Sequence, residues 1–146
     1  MGERVVVDTG VLQKANAPVG ENVRERSKFR KRLELLSSLR QGRFTVLISV
    51  KLLAEYQRQV SKPRNDFVRA FFELLNLSGS KWNWCRWSGQ NRAHAIACRF
   101  PREDYHVLRT TVCSTGSTIL SEEHRMLVTD QCIHRRLRVH VVDPTV

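Results

Sequence analysis

The sequence predicts an α/β protein, a three-layer α/β/α sandwich built on a central parallel sheet of four to five strands. Three observations carry that expectation. Short β-branched runs alternate with longer segments whose apolar residues recur at helical spacing, which is the pattern of strand–helix–strand units. The chain has 146 residues, the length of one ordinary domain. No internal repeat, low-complexity tract or linker interrupts it, so residues 1–146 read as a single domain.

In chain order, Glu3-Arg4-Val5-Val6-Val7-Asp8 is a buried-strand run ending in a carboxylate, and the turn-prone Thr9-Gly10 reads as its exit loop. In residues 22–39, Phe29, Leu33 and Leu36 stand at i, i+4 and i+7, while Arg24, Arg26, Lys28, Arg30, Lys31 and Arg32 fill much of the remainder. One face of that helix packs, and the other meets solvent or phosphate. Phe44-Thr45-Val46-Leu47-Ile48 is a second strand followed by Ser49, a good N-cap, and Leu52, Tyr56 and Val60 mark the next helix. Phe67 to Leu77 is apolar nearly all round, the pattern of a helix buried both in the core and against another chain. Trp82-Asn83-Trp84 is a weaker strand candidate. Asn91 to Cys98 and Asp104 to Val112 have helical period, with Pro101 where a new helix would start. Ile119-Leu120 and Val139-His140-Val141-Val142 supply the last strands.

Lys and Arg number 25 against 14 Asp and Glu, a formal charge of +11. That excess points to a polyanionic partner, because cations that neutralise phosphates release condensed counterions. The 41% hydrophobic and 27% charged composition excludes disorder. No run approaches the roughly 18 apolar residues of a membrane span, and Met1-Gly2-Glu3-Arg4 leads straight into the first strand, so neither signal peptide nor membrane anchor is expected. Cys85, Cys98, Cys113 and Cys132 contain no C-x-x-C pair. They read as reduced, mostly buried thiols of a cytoplasmic protein.

The few acids are placed tellingly. Asp8 ends the first strand, and in open parallel sheets ligands bind beyond the carboxyl ends of strands; capping a turn is the other role open to it. Glu55 borders the buried stripe of Leu52 and Tyr56, where a carboxylate needs a partner, an Arg being the plain alternative. Asp104 shares an i, i+3, i+4, i+7 stripe with Val107, Leu108 and Thr111, and its other role is interaction with a helix dipole. Ser121-Glu122-Glu123 again sets acids at a strand's carboxyl end. Four such groups converging would suit a hard cation, Mg²⁺ or Mn²⁺, which takes oxygen ligands and leaves positions for water and phosphate.

These residues resemble a PIN domain, the metal-dependent nuclease fold that includes VapC-type toxins. Val5-Val6-Val7-Asp8-Thr9-Gly10-Val11-Leu12 is similar to that family's strand and D-T-N-V-L, with Gly10 in place of Asn. Leu47 to Tyr56 resembles its segment of strand, Ser and L-x-E. Asp104 with Val107-Leu108 resembles the third acidic helix, and Ile119-Leu120-Ser121-Glu122-Glu123 its T-x-D segment. In that segment Glu123 replaces Asp, Glu122 stays open for a loop one residue shorter, and Asp130 ranks third. The acid that many members carry shortly after the fourth is absent, because His124, Arg125 and Met126 follow.

The resemblance implies an endoribonuclease that cuts RNA with metal-activated water, leaving a 5′-phosphate and a 3′-hydroxyl. Asp8, Glu55, Asp104 and Glu123 would bind the ion or orient the water, with Glu122 a further candidate ligand. Thr9 and Ser121 would hydrogen-bond to ligand carboxylates or to substrate. A toxin's role would bring an antitoxin protein as partner, and the helix at Phe67 to Phe72 would be its groove, a homodimer face or plain core. The alternative function is a catalytically degenerate PIN domain that binds RNA or protein without cutting.

Lys81, Trp82, Trp84, Arg86 and Trp87 alternate basic and aromatic side chains as single-stranded nucleic acid requires; core packing of the rings is the competing reading. His124, Cys132, His134 and His140 match no standard zinc spacing, and a short helix followed by a strand would scatter them.

Overall fold

Three consecutive valines with no polar alternation form the first strand, β1 (Glu3–Val7), as expected of a parallel strand covered on both faces. The computed structural model describes residues 3–76 and 80–146, so Met1, Gly2 and Leu77 lie outside the described residues. After β1 come α1 (Thr9–Asn16), α2 (Val23–Arg40), β2 (Phe44–Ile48), α3 (Val50–Gln59), α4 (Asp66–Leu75) and β3 (Ser80–Trp82). The chain continues through α5 (Gly89–Ala97), a 3₁₀ turn (Arg102–Asp104), α6 (Tyr105–Thr111), β4 (Thr118–Leu120), α7 (His124–Leu127), α8 (Asp130–Leu137) and β5 (His140–Val142).

All five strands join one parallel sheet in the order β3-β2-β1-β4-β5, flanked by helices. The register sets Val5 beside Val46 and Thr118, and Val7 beside Leu120. The chain builds outward from β1 to β3, then crosses back to place β4 on the other side of β1. That reversal opens a crevice between the carboxyl ends of β1 and β4, the position where open parallel sheets bind ligands. Val6, Val46, Leu47, Ile48 and Ile119 are fully buried, and each such side chain contributes about 1.5–3 kcal/mol over its exposed state. Tyr56 packs edge-on against Phe71 at 5.7 Å and donates its hydroxyl proton to the Val7 carbonyl, fastening α3 to the end of β1.

Side-chain caps begin four helices: Asn22, Ser49, Asn65 and Ser88 each accept from the backbone N–H three residues on. Gly42, in the left-handed region at φ 79°, closes α2 through its N–H to the Leu39 carbonyl.

Three expectations are corrected. Thr9-Gly10 is no exit loop but the first turn of α1, whose Val11, Leu12 and Ala15 are buried. Helix α4 is not apolar all round: Val68, Phe71, Leu74 and Leu75 face the core, whereas Asp66, Arg69 and Glu73 are exposed. The cysteines are not reduced thiols. Cys85 bonds Cys113 and Cys98 bonds Cys132, each with Cα atoms 5.5 Å apart. Spacing hid these pairs because the crossover topology brings together residues 28 and 34 positions apart. Loops of that size reduce the unfolded chain's entropy by an amount worth about 3–4 kcal/mol each. Disulfides belong to oxidising compartments, so the thiols no longer argue for cytoplasm. Among the described residues, no helix is long and apolar enough to cross a membrane.

Candidate functional site

The carboxyl end of β1 delivers Asp8 into the crevice, where it is only 6% exposed. Ser121, at the matching end of β4, donates its hydroxyl to Asp8 Oδ2 at 2.9 Å and accepts the Glu123 backbone N–H at 3.0 Å. The role of Asp8 is therefore not that of a helix cap: it stands at the N-cap position of α1 but makes no side-chain cap bond. Thr9 donates to Glu55 Oε1, tying the first turn of α1 to α3. Glu55 Oε2 lies 2.8 Å from His106 Nε2, within ion-pair distance yet not aligned as a hydrogen bond. Its partners are thus a hydroxyl and an imidazole, not an Arg.

Asp104 ends the 3₁₀ turn and precedes α6 without capping it. Its Oδ2 is buried and has no hydrogen-bond partner. Asp8, Thr9, Glu55, Asp104 and Glu123 line one cleft of about 450 Å³, joined by Lys14 and Glu122. Carboxylate oxygens of Glu103, Asp104 and Glu123 approach within 4.8 Å of one another.

Crowding shows in the protonation of the acids. Burial, reinforced by the charges of Glu123 and Glu55, pushes Asp8 up from 3.8 to about 6, against the hydrogen bond from Ser121. Burial and then the neighbouring charges of Asp8, Glu123, Glu103 and Glu55 push Asp104 from 3.8 to about 7. Burial lowers His106 despite the attraction of Glu55. Asp8 and Asp104 therefore keep protons in the folded state that the unfolded chain has released, so stability falls as pH rises. Without added metal, the melting temperature is expected to drop between about pH 4 and pH 7 and then level off. Millimolar Mn²⁺ should remove most of the drop; a metal-free melting profile that rises over that interval would contradict this assignment.

An all-oxygen donor set, a buried carboxylate oxygen without a partner and two acids that resist ionisation together fit a hard divalent cation. Glu103, Asp104 and Glu123 bring oxygens close enough together to share it, and Asp8 and Glu55 line the same cleft beside them. Glu122 is engaged elsewhere. Arg32 grips it through two hydrogen bonds of 2.7 and 2.8 Å, and Lys14 lies 3.7 Å away. Asp130 faces away from the cleft, accepting the Val141 N–H at 2.7 Å and lying 3.2 Å from His140 Nδ1.

Among the basic candidates on α2, Arg24, Arg26 and Arg30 are exposed and Lys28 partly so. Lys31 donates to the Thr145 carbonyl at 3.1 Å. Arg32 is corrected outright: it is 5% exposed and bound to Glu122, so it does not belong to a solvent or phosphate face. The real buried stripe of α2 is Arg32, Leu36 and Leu39, rotated from the expected one. Lys81, Trp82, Trp84 and Arg86 are exposed, while Trp87 packs on Tyr105 at 5.5 Å. His134 and His140 are not scattered but stacked at 3.7 Å, and Cys132 is held in its disulfide.

Sequence reasoning missed Lys14, Glu103, His106 and Arg125. Arg125 binds Glu103 and, at 3.1 Å, Glu123; a backbone hydrogen bond, and after it the hydrogen bond from Arg125, hold Glu103 below the usual carboxylate range. The adjacency of Glu103 to Asp104 was the available signal. Comparison with protein-family models, curated proteins and solved structures gives no match.

Proposed function

We propose that this chain is a Mg²⁺- or Mn²⁺-dependent endoribonuclease of the PIN kind. The observation that carries the reading is the meeting of Asp8, Glu55, Asp104 and Glu123 in one cleft at the carboxyl end of the sheet. A divalent ion bound there supplies a water of lowered pKa and neutralises charge on a phosphodiester. The chain's own residues prepare that chemistry. Ser121 fixes the rotamer of Asp8, Thr9 donates to Glu55, and the His106 imidazole lies beside the other Glu55 oxygen. Glu55 is thereby placed to accept a proton from water. Lys14 stands on the cleft wall as a cation for a substrate phosphate, within the wider field of a +11 chain.

Cleavage of single-stranded RNA by the purified protein in Mn²⁺, abolished by EDTA and giving 5′-phosphate ends, is the expected result. Intact RNA in Mn²⁺, or cutting that EDTA leaves untouched, would contradict it. The second reading, a PIN-like module that binds RNA without cutting, is favoured by one observation: Arg125 already pairs with Glu103 and Glu123. RNA retained by the protein, yet uncut at millimolar Mn²⁺, would select it. An antitoxin partner or a homodimer through α4 belongs to the toxin form of the first reading, where the exposed Phe67 is the apolar contact on offer.

A further inference from the structure

Beyond the cleft, the far edge of the sheet holds two tryptophans in an unusual setting. Trp82 ends β3 and Trp84 follows at strand spacing, so both rings reach the same side of the extended segment. They are 56% and 46% exposed. With Asn83 and with Val50, Lys51 and Ala54 of α3 they line a groove of about 530 Å³. Single exposed apolar residues are ordinary, but two indoles and Val50 sharing a groove form a patch of the kind that marks a binding surface.

The segment carrying the rings is tied down at several points. The Asn83 N–H donates to the Ile48 carbonyl at 2.8 Å, and its side-chain amide to the Thr110 carbonyl at 2.6 Å. The Cys85 N–H donates to the Arg109 carbonyl at 2.9 Å, and the Cys85–Cys113 disulfide fastens the same segment beyond the end of α6. Arg109 lies 4.0 Å from the Trp84 ring centre, supporting it from behind by cation–π contact. Rings preorganised this way lose little freedom when a flat partner stacks on them.

We infer that Trp82 and Trp84 form a stacking platform for unpaired nucleotides of single-stranded RNA. Charge selects that occupant. Among the described residues the groove is lined by one cation, Lys51, and no acid, and Lys81 and Arg86 are exposed on the same segment. Aromatic faces for bases with cations for the backbone are what single strands require. Position connects the platform with the chemistry: on α3, Lys51 and Ala54 face the groove, whereas Glu55 and Gln59 face the cleft. Lys51 and Glu55 lie one helical turn, about 5.4 Å of rise, apart on α3, so the platform and the cleft share that helix. The choice of RNA rests on the nuclease reading above; the stacking itself does not.

The test is a titration of the whole protein with a ten-nucleotide single-stranded RNA in EDTA, read by intrinsic tryptophan fluorescence. Wild-type emission is expected to be quenched. Trp82→Ala and Trp84→Ala should each weaken binding by on the order of 10-fold to 100-fold, the loss of one stacked base, with the circular dichroism spectrum of the folded chain retained. Unquenched emission at saturating RNA, or equal affinity of the double variant, would overturn the platform. Self-association that the double variant abolishes without weakening RNA binding would also overturn it, in favour of a second copy of this chain. A tenfold preference for the matching DNA would overturn the assignment to RNA. Because the titration excludes metal, failure of Mn²⁺-dependent cleavage would sink the nuclease reading and leave this result standing.

Discussion

Asp104→Asn is expected to lower Mn²⁺-dependent RNA cleavage by more than about 100-fold, the upper end of what loss of an outer partner costs a metal site. The same substitution is expected to make the metal-free protein more stable. Asp104 is half-buried among Asp8, Glu123, Glu103 and Glu55, whose charges oppose its ionisation, and its Oδ2 has no donor to lose. Removing the charge at pH 8 should raise unfolding stability by about 1–2 kcal/mol. That is less than full conversion of the displaced pKa would give, because solvent reaches the group and screens it. Urea denaturation in EDTA reads the gain, and a timed RNA digest reads the loss. Opposite signs in the two assays identify a carboxylate kept for chemistry at the expense of stability. A variant that cuts normally, or that is simply destabilised, contradicts this role.

Arg32→Ala should have the largest effect on folding, a loss of about 3–5 kcal/mol, because it strands a buried carboxylate. The Arg32 and Glu122 side chains are only 6% and 7% exposed, and both oxygens of Glu122 are taken by the guanidinium. Lys14, at 3.7 Å and largely exposed, cannot replace that fork. The double variant Arg32→Leu with Glu122→Leu should recover most of the loss, since buried pairs are often exchanged for apolar residues at little cost. Chemical denaturation of the single and double variants measures both quantities, and equal losses in the two would disprove the pairing account. The pair also fixes the loop after β4, where Ser121 and Glu123 flank Glu122.

What could be read from the sequence was whatever obeys a period. The valine run with Asp8 at its end, the Ser49 cap ahead of Glu55, and Asp104 on one stripe with Val107 and Leu108 each followed from local spacing, and all three acids line one cleft. The all-parallel sheet followed from alternation of strand and helix. Local patterns failed where tertiary pairing overrides them. Arg32 sits in a basic run and reads as solvated, and only its i, i+4, i+7 relation to Leu36 and Leu39 hinted at burial. Thr9-Gly10 reads as a turn because the burial of Val11 and Leu12 is decided by the sheet beneath them. Four cysteines allow three pairings, and the crossover between distant segments chooses among them. His106, two residues past Asp104, meets Glu55 only once α3 and α6 pack together.

The convergence of acids from β1, α3, the 3₁₀ turn and the loop after β4 has one direct consequence: the cleft should take up a divalent cation. Calorimetric titration of Mn²⁺ into the purified chain at pH 8, where Asp8 and Asp104 have both released their protons, measures it. One saturable site is expected, weakened at pH 5.5 because protons then compete for the same oxygens, and lost in Asp104→Asn. No binding at millimolar Mn²⁺, or undiminished binding in Asp104→Asn, would contradict the account.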